Sequence, residues 1–314
     1  MFMRNNNSRV LNLYLFLFVL FGFKYVLGQQ PSSIPIETQR NKTVIPVKVG
    51  NSRTLKILLD TGMSFDGLLI YNKNLLDSIK LNNPIEVRVP GAGSGKPSTA
   101  QMDTSGNFSI DDYEFNNQKL LILTNDIYEG FPTDGVIGYS LFGHYAVEID
   151  YDKNIIVLHD YDMLDIHESW ESIPIYFKTN TIPWIDVSVA IEKEDPVTIS
   201  TYIDFAAGET IELLEKPNMK VTIPTKLEEA HLGRGLSGDI YGKTGIISKL
   251  IIGPYELNRI KAAFVSSSIR SKQSNADGII GNGSLKYFNL IFDYKNKKLY
   301  LKPNAHYLSD RIRQ

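Results

Sequence analysis

Short apolar runs separated by turn residues recur along most of the chain. Clusters of Gly, Asn, Asp and Pro divide runs rich in valine, isoleucine and leucine. The clearest runs are Val44–Val49, Leu55–Leu59, Ile85–Val89, Leu120–Leu123, Ile155–Leu158, Ile246–Ile252 and Leu290–Phe292. Runs of this kind predict β-strands, and long stretches of helical periodicity are scarce. The pattern therefore predicts an all-β protein.

The first 28 residues follow a different pattern. Arg4 and Arg9 precede an apolar stretch from Val10 to Val26, and Gly28 is a small residue at its exit. These features are typical of a secretory signal peptide. We therefore expect residues 1–28 to be removed and the protein to be secreted, into the periplasm or outside the cell. The alternative is a retained membrane anchor, because the stretch reaches the lower limit of a spanning helix.

Three short motifs occur twice in the same order. The pairs are Leu58–Asp60 with Tyr202–Asp204, Asp134–Gly138 with Asp277–Gly281, and Asp150–Asn154 with Asp293–Lys297. The aspartates that mark the first two motifs are 74 residues apart in one copy and 73 in the other, and the next interval is 16 residues in both. A repeat this long indicates two similar lobes rather than a solenoid. We predict an N-terminal lobe at residues 29–165 and a C-terminal lobe at residues 166–314.

Composition narrows the possible functions. The chain is 43% hydrophobic and 11% aromatic, which is typical of a globular protein. Its 33 basic and 35 acidic residues leave a net charge of −2, so the charge gives no support for nucleic-acid binding. The absence of cysteine excludes disulfides, cysteine-ligated metals and a thiol nucleophile. No histidine pair has metal-ligand spacing on a helix, and we expect neither a metal nor another cofactor.

The motif around Asp60 resembles the active-site loop of aspartic proteases. Leu58 and Leu59 precede Asp60-Thr61-Gly62, and Ser64 follows two residues later. The copies Val136–Gly138 and Ile279–Gly281 are similar to the apolar-apolar-Gly segment that packs beneath each active-site loop in that family. The resemblance covers roughly residues 40–304 and is closest to bacterial pepsin-like and retropepsin-like secreted proteins. It implies a two-lobed, pepsin-like double barrel formed by internal duplication, with peptidase activity.

The resemblance also implies a mechanism. Two facing carboxylates cannot both ionise cheaply, so the pair shares one proton, a behaviour best known from aspartic proteases themselves. The ionised carboxylate takes a proton from water while the neutral one polarises the peptide carbonyl. Asp60 and Asp204 are the implied catalytic pair. Thr61, Gly62 and Ser64 would support the first loop, and Phe205 and Ala206 the second.

The second loop departs from the family pattern. Phe205 replaces the expected threonine and Ala206 the expected glycine. Because phenylalanine has no hydroxyl, we expect at most the Thr61 half of the usual hydrogen bonding between the loops. The departures support an alternative, a non-catalytic pepsin-like fold that binds peptides or glycans outside the cell. A third hypothesis, a general extracellular β-protein without a cleft function, leaves the duplicated motifs unexplained.

Two glycine-rich segments occupy the positions at which the family carries flaps over the cleft. One contains Gly93, Ser94 and Gly95, and the other contains Gly235, with Tyr241 as a possible flap aromatic. Glycine-rich hairpin tips suit a mobile lid, although two surface hairpins without a gating role are the alternative. The expected partner is a peptide or protein substrate. We expect a monomer, because one chain carries both half-sites, and no stable membrane insertion once residues 1–28 are removed.

Overall fold

The apolar runs of the sequence are strands in the computed structural model, which describes residues 32–178, 181–273 and 275–313. The predicted signal peptide lies outside these ranges. The strands are β1 Ser33–Pro35, β2 Glu37–Gln39, β3 Lys42–Val47, β4 Leu55–Leu59, β5 Gly67–Ile70, β6 Ile85–Val89, β7 Ser98–Ile110, β8 Tyr113–Leu123, β9 Gly135–Ile137, β10 Ala146–Asp150, β11 Ile155–His159, β12 Glu171–Pro174, β13 Trp184–Ala190, β14 Val197–Asp204, β15 Ile211–Glu215, β16 Glu228–Gly235, β17 Gly238–Ile252, β18 Tyr255–Ser266, β19 Gly278–Gly281, β20 Phe288–Asp293 and β21 Lys298–Pro303. The prediction of an all-β chain is confirmed.

The helices within the described ranges are short. The α-helices are α1 Tyr139–Phe142, α2 Asn282–Leu285 and α3 Ala305–Arg313, and the 3₁₀ helices are η1 Lys73–Leu75, η2 Tyr161–Met163 and η3 Ser267–Gln273. Helices α1 and α2 directly follow the two apolar-apolar-Gly motifs. In the part of the chain that the structure describes, no helix combines the length and apolar character needed to cross a membrane.

Each half of the chain forms a sheet around its aspartate. The first sheet has the strand order β2-β3-β4-β9-β5-β8-β7-β6, and the second β13-β14-β19-β15-β18-β17-β16. In the first sheet Leu59 lies opposite Ile137 on a parallel strand, and in the second Ile203 lies opposite Ile280 in the same way. The equivalent pairing confirms the duplication predicted from the motifs.

A third sheet joins the two halves. Its order is β1-β11-β10-β20-β21-β12, and β10 of the first half pairs with β20 of the second. The two copied hairpins, β10–β11 and β20–β21, are therefore neighbours in one sheet. Residues from Ser32 onward form one compact unit. The predicted lobe boundary, between residues 165 and 166, lies between β11 and β12 and stays a prediction.

A continuous apolar core lies beneath these sheets and fixes the position of the aspartate loops. Phe142, Phe205, Phe288 and Phe292 are fully buried, together with many valine, leucine and isoleucine side chains. Complete burial of one such side chain stabilises a fold by about 1.5–3 kcal/mol. The second aspartate loop contributes Phe205 to this core directly, so the loop is tied to the centre of the molecule.

Candidate active site

Both aspartates lie where a strand ends against an apolar-apolar-Gly motif. The Asp60 N–H donates to the Ile137 carbonyl at 2.8 Å, and Asp204 lies opposite Gly281 on a parallel strand. A Cβ on Gly138 would lie 2.3 Å from the Asp60 carbonyl oxygen, a distance that no side chain tolerates. The backbone of the motif therefore packs directly beneath the aspartate, which explains the glycine at this position.

The two carboxylates border the same small space. A Cβ placed on Gly62 would lie 3.1 Å from Asp60 Oδ1 and 3.2 Å from Asp204 Oδ2. The structure thus brings together the two aspartates that the sequence predicts as a pair, although they lie in different halves of the chain.

The environments of the two carboxylates differ. The Asp60 side chain is half-buried and lines the cavity. Burial raises its pKa to about 7, and the charge of Asp204 contributes to this rise. Asp204 Oδ1 accepts hydrogen bonds from the backbone N–H groups of Ala206 and Ala207, at 3.0 and 3.1 Å. Asp60 also accepts backbone hydrogen bonds, from the N–H groups of Gly62 and Met63.

A single hydroxyl links the two aspartate loops. Thr61 Oγ1 donates to the Ile203 carbonyl at 2.8 Å and accepts from the Phe205 N–H at 3.0 Å. The Thr61 side chain is buried, so these hydrogen bonds are shielded from water. This is the half of the loop-to-loop interaction that we expect from the sequence.

The structure accommodates both departures in the second loop. The Phe205 ring points into the core and packs against Phe292 and Phe142, with ring centres 5.7 and 6.5 Å away. Apolar packing therefore holds the loop where a second hydroxyl would have held it. Ala206 does not adopt a positive φ, so its methyl group adds no backbone strain.

Ser64 lies at the edge of the site. Its side chain is exposed, and its backbone carbonyl accepts a hydrogen bond from Thr181 Oγ1 at 2.8 Å. Gly208 occupies the matching position in the second loop, so that loop has no equivalent hydroxyl. Thr181 belongs to the second half of the chain, so Ser64 helps to hold the two halves together.

The two glycine-rich hairpin tips contact each other and line the cavity that contains both carboxylates. The cavity has a volume of about 600 Å³. The Gly95 N–H donates to the Ser237 carbonyl at 2.6 Å, and the Ser237 N–H donates to the Ala92 carbonyl at 2.9 Å. Of the predicted flap residues, Gly235 lines this cavity, whereas Gly93, Ser94 and Gly95 do not. Tyr241 is 62% exposed, does not line the cavity either, and packs against His231.

Aromatic residues that the sequence analysis did not identify line the cavity near the first hairpin. The ring centres of Tyr71 and Tyr128 are 4.5 Å apart, and those of Tyr128 and Phe131 are 4.9 Å apart. Burial raises the pKa of Tyr71 and Tyr128 well above the usual range, so both stay neutral. Their spacing in the sequence gives no indication that they meet.

The sequence analysis also did not identify an ion pair in the cavity wall. Arg270 Nη2 donates to both carboxylate oxygens of Glu212 at 2.9 and 2.8 Å, and both residues line the cavity. Arg270 Nη1 lies 4.0 Å from Asp204 Oδ2. A charged residue inside the apolar run Ile211–Leu214 was the one sequence feature that pointed to this pair.

Comparisons with known proteins support the fold. The sequence matches no protein-family model and no curated protein. The structure is similar to the crystal structure of an aspartic proteinase from Irpex lacteus, with a TM-score of 0.57 and 14% sequence identity. The match covers 89% of this chain and 99% of that chain. The chain therefore has the two-lobed, all-β fold of pepsin-like aspartic proteinases, as the sequence analysis predicts.

Proposed function

We propose that this protein is an aspartic-type endopeptidase that hydrolyses peptide bonds with a water molecule activated between Asp60 and Asp204. The observation that carries the proposal is the meeting of the two carboxylates at one point of a single cavity. The pKa of Asp60, raised to about 7, supports it further, because a shared-proton pair needs one neutral member.

Each aspartate has its own role in the proposed mechanism. Below about pH 7 Asp60 is neutral and donates a hydrogen bond to the carbonyl oxygen of the scissile peptide. Asp204, as carboxylate, removes a proton from the water as the water oxygen bonds to the carbonyl carbon. The carbonyl oxygen takes the Asp60 proton, which gives a neutral tetrahedral diol. Asp204 then gives the proton from water to the amide nitrogen as the C–N bond breaks, and Asp60 regains a proton from a diol hydroxyl, which releases a carboxylic acid and an amine. No covalent enzyme intermediate forms.

The cavity suits an extended peptide. Its walls combine apolar side chains with the backbone of both hairpins. Because the hairpin tips are hydrogen-bonded to each other, we expect them to separate before a chain enters and to close again over it. Both aspartates come from one chain, which supports a monomeric enzyme. The N-terminal sequence pattern supports secretion, into the periplasm or outside the cell.

Cleavage of a mixed peptide library between about pH 3 and pH 7, followed by mass spectrometry, tests the proposal. We expect internal cleavage, inhibited by a peptide with a secondary hydroxyl in place of the scissile bond, since such a group mimics the tetrahedral state. If peptides bind in the cavity and none is cleaved anywhere in this range, the non-catalytic binding module replaces the enzyme. The departures at Phe205 and Ala206 are the observation that favours this second function.

A further inference from the structure

The ion pair between Arg270 and Glu212 is buried beside one member of the catalytic pair. The Arg270 side chain is 10% exposed and the Glu212 side chain 3%. Arg270 Nη2 is held by both oxygens of Glu212, so the guanidinium has a fixed position with Nη1 4.0 Å from Asp204 Oδ2. Nε is buried and has no hydrogen-bond partner among the described residues. Burial of these charges is costly, and Glu212 compensates only part of the cost.

The internal duplication shows that the fold does not require this pair. Glu212 lies opposite Ile279 and Ala263 in the second sheet. The equivalent position in the first sheet is Leu69, which lies opposite Val136 and Leu121. An apolar side chain therefore fills this position where no arginine follows. The smaller Ala263, in place of a leucine, leaves room for the charged pair in the second half.

Other charges surround the same carboxylates. The titratable and charged groups around them include Asp60, Glu209, Glu212, Tyr71, Tyr128, Tyr202, Lys42, Arg234 and Lys261. Among the cations, Lys42 acts on Asp60, Arg234 on Tyr128, Lys261 on Glu209 and Arg270 on Asp204. Tyr128 and Tyr202 are neutral, because burial raises the pKa of each. Among the described residues, Arg270 is the cation that lies within 4.0 Å of the Asp204 carboxylate.

We propose that Arg270, oriented by Glu212, is a positioning residue that keeps Asp204 ionised and so leaves Asp60 as the proton carrier of the pair. A cation at about 4 Å favours the charged form of a carboxylate. Glu212 weakens this effect, because its negative charge offsets part of the arginine charge. The inference rests on the proposed function, since it assigns the roles within that catalytic pair.

Carboxyl titration tests the inference without relying on activity. In an Asp60→Asn background the pair has one carboxyl, so the assigned ¹³C carboxyl signal of Asp204 in protein with labelled aspartate follows this group without a coupled partner. Adding Arg270→Met should move its titration to higher pH by about one unit or more, as expected when a neighbouring cation is lost. Arg270→Lys keeps a cation at this position, so its titration should move to higher pH by less than that of Arg270→Met. Glu212→Gln should move the titration to lower pH. Titration curves that coincide in all four proteins would overturn the proposal.

The pH profile of peptide cleavage gives a second readout. In otherwise wild-type protein, Arg270→Met should move the acidic limb of the kcat profile to higher pH and lower kcat more than it changes KM. Glu212→Gln should move the limb in the opposite direction, which a purely structural role does not predict. If both variants lose activity with no movement of the limb, the pair is structural and the inference is wrong.

Arg53 provides a matched control. It forms an ion pair with buried Asp134 in the first half of the chain, away from the cavity. Arg53→Met should lower stability and leave the acidic limb where it is.

The inference and the proposed function can fail separately. If the wild type cleaves no peptide, the proposed function fails, while the NMR titration still decides whether Arg270 controls the titration of Asp204. If Arg270→Met does not fold, Arg270→Lys and Glu212→Gln carry the same test.

Discussion

At the scale of single residues, the Thr61 hydroxyl does the work that two hydroxyls share in a symmetric pair of loops. It bonds to Ile203 and Phe205 on either side of Asp204. The second loop has phenylalanine at the matching position, and that ring is held by the core. The distance between the two carboxylates therefore depends on one polar contact from the first loop and on apolar packing from the second.

The Thr61 contact leads to a first prediction. Thr61→Val keeps the shape of the side chain but leaves a buried carbonyl and a buried N–H without partners, so we expect a loss of about 3 kcal/mol in the free energy of unfolding. We also expect kcat to fall at least tenfold, because the hydrogen bonds that fix the distance between the two aspartate loops are lost. Urea unfolding and peptide cleavage measure the two effects. The control is Thr201→Val, which removes one buried hydrogen bond to Ile185 and should cost stability alone.

Asp60 leads to a second prediction, on pH and stability. Its pKa is about 7 in the folded protein, against an ordinary value of 3.8, so the folded state binds the extra proton between these values. The stability that this proton contributes is complete below about pH 4 and is lost as the pH rises through 7, by up to about 4 kcal/mol. Asp60→Asn should remove this loss. Urea midpoints at pH 4.5 and pH 8 should therefore diverge between the two proteins; equal changes in both would contradict the raised pKa.

At the scale of elements, the two hairpins close the cavity by direct contact. Gly93 has φ +115°, and a Cβ there would lie 2.5 Å from the Ser237 carbonyl carbon. A Cβ on Gly235 of the other tip would lie 2.3 Å from the Ala92 carbonyl oxygen, so the tips approach this closely because both have glycine at the contact. The contact joins elements of the two halves, β6–β7 and β16–β17, so opening the cavity requires breaking it.

A third prediction follows from this contact. Gly93→Ala should push the tips apart and speed hydrogen exchange at the Gly95 and Ser237 amides at least tenfold. Gly130→Ala is the matched control, because Gly130 also has positive φ but nothing lies within 4 Å of its Cβ position. The control carries the backbone strain without the clash, so exchange at the tips should stay at the wild-type rate. Equal exchange rates in both variants would contradict a closed pair of hairpins.

The elements also show how far the sequence could predict the structure. Strand-length apolar runs and the repeated motifs predict the sheets and the aspartate pair, because local pattern and fixed spacing determine them. The partnership of Glu212 with Arg270 was not predictable, since it joins a strand to a 3₁₀ segment 58 residues away. Tyr241 was proposed as a flap aromatic from its position after a glycine-rich tip, but the alternation of strand β17 leaves it exposed.

At the scale of the whole molecule, the shared sheet connects the two half-sites. Strands β10 and β20 pair across it, with Val147 opposite Phe292. Phe292 in turn packs against Phe205, directly beside Asp204. The sheet that joins the halves therefore supports the second aspartate loop from below. An arrangement in which one chain supplies both aspartates needs this kind of rigid connection, because the carboxylates act together only at short distance.

The most direct test of the account is the rate of peptide cleavage by four proteins: wild type, Asp60→Asn, Asp204→Asn and the double variant. Because the two carboxylates share one water and one proton, each single variant should lose activity by at least about a thousandfold, and the double variant should be little worse than either. Circular dichroism should show the same fold in all four. If Asp204→Asn cleaves the same peptide at the wild-type rate, Asp204 is not part of the catalytic pair and the account is wrong.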